Sequence, residues 1–424
     1  MIPRLSMLRP LYLFNTYALL PLALLLLLLL RLKRSNDLPA FRPGLGDLAM
    51  VLFVAGALAS ILFEGESHVT TLKNLTELDR VFLVPFAAFW LVRVSRIEEP
   101  QLAAWVPILA GLCILEAVTG ALGLLLPTAL PRFWPGVVIE MGGLRVTGTM
   151  THPDGYVAML VLAATFCFHF LSSKPGLPAR AFGSGLLVIG FSAGFVSFSR
   201  ASWIGSAVAL GLLATAYRRR LAIPVMAIVP AVVLLSHLPT GAARVRVGPG
   251  SSGAGTTAPS QSTQVDRKSY AIERLGNSQT VADRVVLGAA GVKMFLDKPL
   301  LGWGFGSYDR HARGFIERTG PFVPSDWDRY QAASHNSHIS ILAELGIVGY
   351  ACLAFPLAWV LVRSARALWY SKVDRLLITL WANMAFLVVI SMSIDLRFLA
   401  CTSGLAWLIL GLVAVRVERH ERPC

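Results

Sequence analysis

The sequence predicts an all-α polytopic membrane protein, and three observations carry that prediction. Apolar residues fill 55% of its 424 positions against 15% charged. Apolar runs close to the ~20 residues that a helix needs to cross a bilayer recur along almost the whole chain. The basic residues collect in short stretches between those runs, where Lys and Arg mark loops on the cytoplasmic side. Inside lipid the backbone must satisfy its own polar groups, which a helix does within a single segment.

The runs lie at residues 11–31, 46–63, 80–94, 102–127, 155–172, 182–198, 201–217, 221–237, 338–362, 375–393 and 397–415. Arg218–Arg220, the segment from Arg363 to Arg375, and the tail with Arg416, Arg419 and Arg422 read as cytoplasmic. The loops at 31–45 and 93–101 follow them inside, while 64–79, 128–152 and the long stretch after residue 237 fall outside. Eleven crossings would leave the N-terminus outside, against Arg4 and Arg9. Pro10 and Pro21 interrupt the first run, so an N-terminal hairpin giving about 12 transmembrane helices is expected. The alternative is a single first span, since membrane helices tolerate proline. Arg31, Lys33 and Arg34 follow the first run without a small-residue cleavage site, so no removable signal peptide is read there.

Three parts are expected: a transmembrane bundle over 1–237, one large periplasmic loop over 238–337, and transmembrane helices with a cytoplasmic tail over 338–424. Within the loop, 248–265 is a Gly-, Ser- and Thr-rich stretch with little to bury. An amphipathic helix near 279–297 carries Val281, Val285, Leu287, Val292, Phe295 and Leu296 at helical spacing, and is read as lying on the membrane surface. Gly302-Trp303-Gly304-Phe305-Gly306 follows as a hinge, making the segment a lid.

The formal charge of +14 does not imply a nucleic-acid partner, because the basic residues form no single stripe. Cys113, Cys167, Cys352, Cys401 and Cys424 include no C-x-x-C pair, which argues against a zinc site and a disulfide framework.

Polar groups at a membrane boundary are costly and mark candidate sites. Arg145, Arg200 and Arg284 all fall at the external boundary, where the forked guanidinium suits phosphate oxygens. Each could also snorkel to lipid headgroups. His335 and His338 stand one turn apart at the head of a long apolar helix, with Asn336 between them and Glu344 further along. Histidine accepts a proton near neutral pH, and a helix N-terminus attracts anions; capping alone would also explain the pair. Asp326 and Asp328 have a spacing that could hold a divalent ion, though turns favour Asp equally well. Glu116 within a span, and Asp395 with Arg397 in a short external turn, read as structural pairs or groove-lining groups.

Phe198-Ser199-Arg200-Ala201-Ser202-Trp203, an arginine leading into Met294-Phe295 and Pro299-Leu300-Leu301-Gly302-Trp303-Gly304, and above all His335-Asn336 followed by Gly346-x-x-Gly349 resemble the O-antigen ligase superfamily. That superfamily holds lipopolysaccharide O-antigen ligases, O-antigen polymerases and protein O-oligosaccharyltransferases. The resemblance implies a GT-C-like fold in the bacterial inner membrane and metal-independent, inverting glycosyl transfer on the periplasmic face. Its donor would be a glycan on undecaprenyl pyrophosphate, its acceptor for a ligase the lipid A–core, and no cofactor is implied. By position His335 corresponds to the catalytic histidine and Arg200 and Arg284 to pyrophosphate-contacting arginines, with Arg274 a competitor for the last place. Arg145, Asn336 and His338 are added from local chemistry. A flippase or transporter of lipid-linked glycans is the reading from another class; it expects internal repeats, and none is evident in the sequence.

Overall fold

The computed structural model describes residues 43–63, 67–125, 137–140, 143–148, 152–197, 199–237, 279–317, 334–370, 374–395 and 400–420. The expected N-terminal hairpin, the stretch 248–265, Arg274, Asp326, Asp328 and Arg397 lie outside those residues.

In chain order α1 spans Leu45–Phe63 and α2 spans His68–Leu78, the latter capped by Ser67, whose Oγ accepts from Thr70 N. A single π-helical turn, Asp79–Leu83, leads into α3, Val84–Ser95. Pro85 has no N–H to offer the ladder just there. The short α4, Glu99–Ala103, opens on a capping box of Glu98 and Gln101 and precedes α5, Val106–Leu125. Two strands, β1 (Val137–Glu140) and β2 (Gly143–Val146), then pair antiparallel with Val138 opposite Arg145. They are a small addition to an otherwise all-helical set of described residues, in a loop too short in apolar periodicity to have announced them.

Next come α6 (Pro153–Ser173), α7 (Leu177–Val196) and α8 (Arg200–His237). Tyr217 alone is non-helical within α8, and the boundary expected between two spans falls beside it, at Arg218–Arg220. The last helices are α9 (Gln279–Asp297), α10 (Tyr308–Glu317), α11 (Ser337–Tyr370), α12 (Arg375–Ser391) and α13 (Ala400–His420). Among the described residues, five stretches are long and apolar enough to cross a bilayer: α1, Glu99–Leu122 through α4 and α5, α6, α7, and α11 to Trp369. A multi-pass membrane protein follows. The other expected runs that fall within the described residues are also helical, in α3, α8, α12 and α13.

The chain divides into two compact units. The first comprises 1–104, 207–217 and 278–424. Its aromatic core joins α1, α3 and α13 through Phe53, Phe82, Phe86, Phe89 and Trp407, with Phe86 and Trp407 centred 4.5 Å apart. At one end Arg93 binds Asp47 at 2.6 Å and Glu418 at 3.0 Å, and Trp90 Nε1 donates to Asp47 at 2.7 Å. The second unit comprises 105–206 and 218–277. Within it α6 is buried along its length against α5 and α7. Gly190 lets α7 approach the backbone of Leu160, where a Cβ would collide. Cys113, Cys167 and Cys352 are free thiols.

Candidate active site

The site begins with a backbone irregularity. His335 has φ 52°, one of two non-glycine residues with positive φ among those described. Such a conformation costs about 1–3 kcal/mol and survives where neighbours over-determine it. The neighbours here are polar and close. Ser334 Oγ accepts from Asn336 N at 3.0 Å and lies 2.7 Å from Ser340 Oγ. Ser340 in turn donates to Asp395 Oδ2 at 2.6 Å. Ser334, Ser340 and Asp395 are all buried. The half-buried His335 is therefore the tip of a turn whose two flanks are tied together.

The turn is also tied to its surroundings. Asn336 Oδ1 caps α11 by accepting from His338 N at 2.9 Å and Ile339 N at 3.2 Å, while its Nδ2 donates to Met392 O. Ser337 Oγ donates to Ile394 O at 3.1 Å. The corner between α12 and α13 is thus fastened to the head of α11. His338 sits inside this joint, with Nε2 3.2 Å from Ser391 Oγ and Nδ1 3.3 Å from the Tyr350 hydroxyl. Both its ring nitrogens have protein partners, and Asn336 spends its amide on capping and anchoring. Both residues help to build the frame around His335.

Ten residues beyond Asn336 the helix breaks. Gly346 takes φ 61° and ψ −167°, a region open essentially to glycine alone. The break exposes backbone groups that a helix would consume, and the segment Pro299–Gly304 takes them up. Trp303 N donates to Ala343 O at 3.0 Å and Gly304 N to Glu344 O at 2.7 Å. Ile347 N and Val348 N donate to Pro299 O and Leu300 O at 2.8 and 3.3 Å. Side chains would obstruct this approach: a Cβ on Gly302 would collide with the Glu344 carbonyl, and one on Gly346 with that of Leu300. Glu344, fully buried, uses its two carboxylate oxygens to accept from Gly306 N at 2.9 Å and Tyr308 N at 3.1 Å, capping α10.

The glycine turn, read from sequence as a hinge, is an anchor. Phe305 N donates to Ser60 Oγ at 3.0 Å, and Asn74 Nδ2 donates to Phe305 O at 3.2 Å. Trp303 Nε1 reaches back to Met294 O at 3.1 Å, and Lys298 Nζ lies 3.8 Å from the Trp303 ring centre. His311 stacks beside the same indole at 4.5 Å. Burial first, then the Arg310 and Lys298 charges, hold its pKa below the usual histidine value, with Asp309 opposing.

Arg284 is half-buried near the start of α9, which packs one face into the fold and leaves Val285, Val292 and Leu296 exposed. Leu287, Ala290 and Met294 pack with Tyr308, Ala312, Phe315 and Ala343 in one cluster. Gly288 and Gly291 face Ile339, and Pro299–Leu300 pair with Ile347–Val348, so α9 and α11 run side by side in the same sense. Arg284 stands one turn before Gly288, and His335 one turn before Ile339. Both therefore lie toward the N-terminal ends of the two paired helices.

The remaining arginines belong to the second unit. Arg200 is the first residue of α8, half-buried, behind the N-cap Ser199, whose Oγ accepts from Ser202 N at 3.2 Å. Ser199 Oγ also donates to the buried Asp154, as does Ser202 Oγ at 3.3 Å, and His152 Nδ1 lies 3.4 Å from the same carboxylate. A buried anion beside the start of α8 offsets a cation that would otherwise meet a positive helix end. Arg145 lies on β2, with its side chain outside what is described. Glu116 is buried, and a Cβ on Gly148 would collide with both it and Tyr156.

Sequence reasoning passed over Asp154, Ser334 and Ser340 and read Asp395 only loosely. A buried Asp two residues into a helix, and serines flanking a histidine, were the available signals. What they lacked was the contact between elements far apart in the chain.

Residues 185–354 match the model of a family described as O-Antigen ligase. The matched span holds Arg200, Arg284 and the whole turn from Ser334 to Gly346, and it supports the resemblance read from the motifs. No curated protein matches the sequence.

Proposed function

From a chain whose residues 185–354 carry the O-antigen ligase family's pattern, we propose an O-antigen ligase. It moves a glycan from undecaprenyl pyrophosphate to the lipid A–core oligosaccharide, at the periplasmic face of the bacterial inner membrane. The observation that carries this reading is the strained His335 turn at the head of α11, the membrane helix against which the Arg284-bearing α9 packs.

The reaction balances without a cofactor or metal. The acceptor hydroxyl oxygen forms the new bond to the anomeric carbon. The bond from that carbon to the pyrophosphate oxygen breaks, and the electron pair leaves with undecaprenyl pyrophosphate. His335 takes the hydroxyl proton as general base. Arg284 neutralises the growing charge on the leaving group, the main electrostatic task in such a transfer. Attack opposite the leaving group inverts the anomeric centre.

Polymerase and protein O-oligosaccharyltransferase differ from this only in the acceptor. A purified preparation given labelled lipid-linked glycan, with rough lipid A–core, free repeat units and a peptide in turn, separates them. Transfer to lipid A–core alone supports the ligase; transfer only to repeat units or to peptide replaces it. His335→Ala is expected to lower turnover by at least ~100-fold, in the range of a lost general base. Turnover retained in that variant would falsify the base assignment. A chelator is expected to leave the rate unchanged, and loss of transfer on chelation would turn attention to Asp326 and Asp328.

A further inference from the structure

In the first unit an apolar patch stands exposed within a stretch that the sequence places outside the membrane. Leu296, Leu300 and Leu301, all inside 238–337, are 67%, 65% and 72% exposed. They adjoin Ile347 and Val348 of α11, which are 44% and 49% exposed. The backbone ties the two groups together, since Ile347 N donates to Pro299 O at 2.8 Å and Val348 N to Leu300 O at 3.3 Å. Single apolar side chains on a surface are ordinary, but a contiguous group of large ones marks an interaction surface.

We propose that the acyl chains of the bilayer cover this patch, so that the stretch from Leu296 to Leu301 is a re-entrant part of the membrane domain. Continuity is the first support. Ile347 and Val348 belong to Ser337–Trp369, a stretch long and apolar enough to cross a bilayer. Leucines paired to it backbone to backbone share whatever surrounds those two side chains. The second support comes from α1, another such stretch. Ser60, in its last turn, accepts from Phe305 N of the same loop, and Leu62 and Phe63 beside it are exposed as well. Third, irregular backbone survives at membrane depth only where protein satisfies its polar groups. Here Pro299 O and Leu300 O accept from α11, while Gly302 N, Trp303 N and Gly304 N donate to Lys298 O, Ala343 O and Glu344 O. Finally, the depth is limited by charge. Asp297 and Lys298 are exposed, and Lys298 Nζ lies 3.8 Å from the Trp303 ring centre. A basic and aromatic pair of this kind favours the headgroup layer, where lysine keeps its ammonium in water. The leucines therefore enter the hydrocarbon of one leaflet near its edge. This placement holds whatever reaction the protein performs.

The test is site-specific photocrosslinking of the full chain in liposomes of phosphatidylethanolamine and phosphatidylglycerol. A benzophenone-bearing amino acid replaces Leu300 in one variant and Leu301 in another. Val348, on the span, is the lipid-facing comparator, and Arg313, exposed on α10, is the water-facing one. All four side chains are exposed, so the substitutions leave the packed core intact. Irradiation followed by mass spectrometry of the peptides reads phospholipid adducts. Yields at Leu300 and Leu301 should lie within about twofold of the yield at Val348 and exceed that at Arg313 at least tenfold. Yields at the Arg313 level would overturn the proposal by making the loop a water-facing lid. Crosslinks from Leu300 and Leu301 to protein, within the chain or to a second copy, would overturn it by giving the patch a protein cover. A Val348 yield as low as that at Arg313 would overturn it too, since the continuity with α11 would then lead away from lipid.

Discussion

At the scale of single residues, the site depends on one unfavourable backbone angle. His335 is held at positive φ by Ser334, Ser340 and Asp395, and two of those three are remote from it in sequence or reach it through another side chain. Ser340→Ala and Asp395→Asn should each lower kcat roughly tenfold, equivalent to about 1.4 kcal/mol of lost positioning, with KM for the lipid donor little changed. Steady-state kinetics on both variants checks this; a rise in KM alone would mean that the network serves binding. Ser340→Thr keeps the hydroxyl and should recover most of the rate. A pH dependence belongs here too. His311 is held below its usual pKa in the fold, so the unfolded chain binds the proton more readily. Stability is then full above the unfolded value near 6.5 and falls as pH drops from there toward the folded value. Melting profiles at pH 5 and 7.5 should show this slope, and His311→Gln should flatten it.

At the scale of elements, the joint between Pro299–Gly304 and the broken α11 decides where the histidine stands. Gly302→Ala or Gly346→Ala should cost at least about 1–3 kcal/mol, since each forces a side chain into a conformation or a space closed to it. Glu344→Ala leaves two buried N–H groups without acceptors, at about 1–3 kcal/mol each. Thermal unfolding in detergent measures both, and a shift of less than a degree or two would mean that the joint is slack. The long helices were legible in the sequence, because apolar runs are a local signal. The family resemblance was legible through motif spacing, and residues 185–354 match that family's model. The role of Glu344 was not, because a carboxylate in an apolar helix looks the same whether it faces a substrate or caps a helix 36 residues earlier. The β1–β2 pair was hidden for a similar reason: its four-residue strands carry too little periodicity to announce themselves.

At the scale of the whole molecule, charge inside an apolar interior sets the larger energies. Arg93 and Asp47 are both nearly excluded from solvent and tie α1 to α3, with Glu418 joining from α13. Asp47→Ala removes one of the two carboxylates on Arg93 and the acceptor of Trp90, and should destabilise the first unit by about 1–3 kcal/mol. The double variant with Arg93→Leu should recover much of the loss, and a melting series on both reads the difference. The joint at Gly346 has a wider consequence. Its bonds run from main chain to main chain, and Ser60, Asn74 and Glu344 hold the adjoining loop from three directions. A loop riveted in this way cannot swing aside to admit cargo. In the transfer proposed above, two reactants that each arrive dissolved in the bilayer would come to the imidazole sideways, slipping between helices as lipids do, and the spent carrier would drift out by the same kind of route.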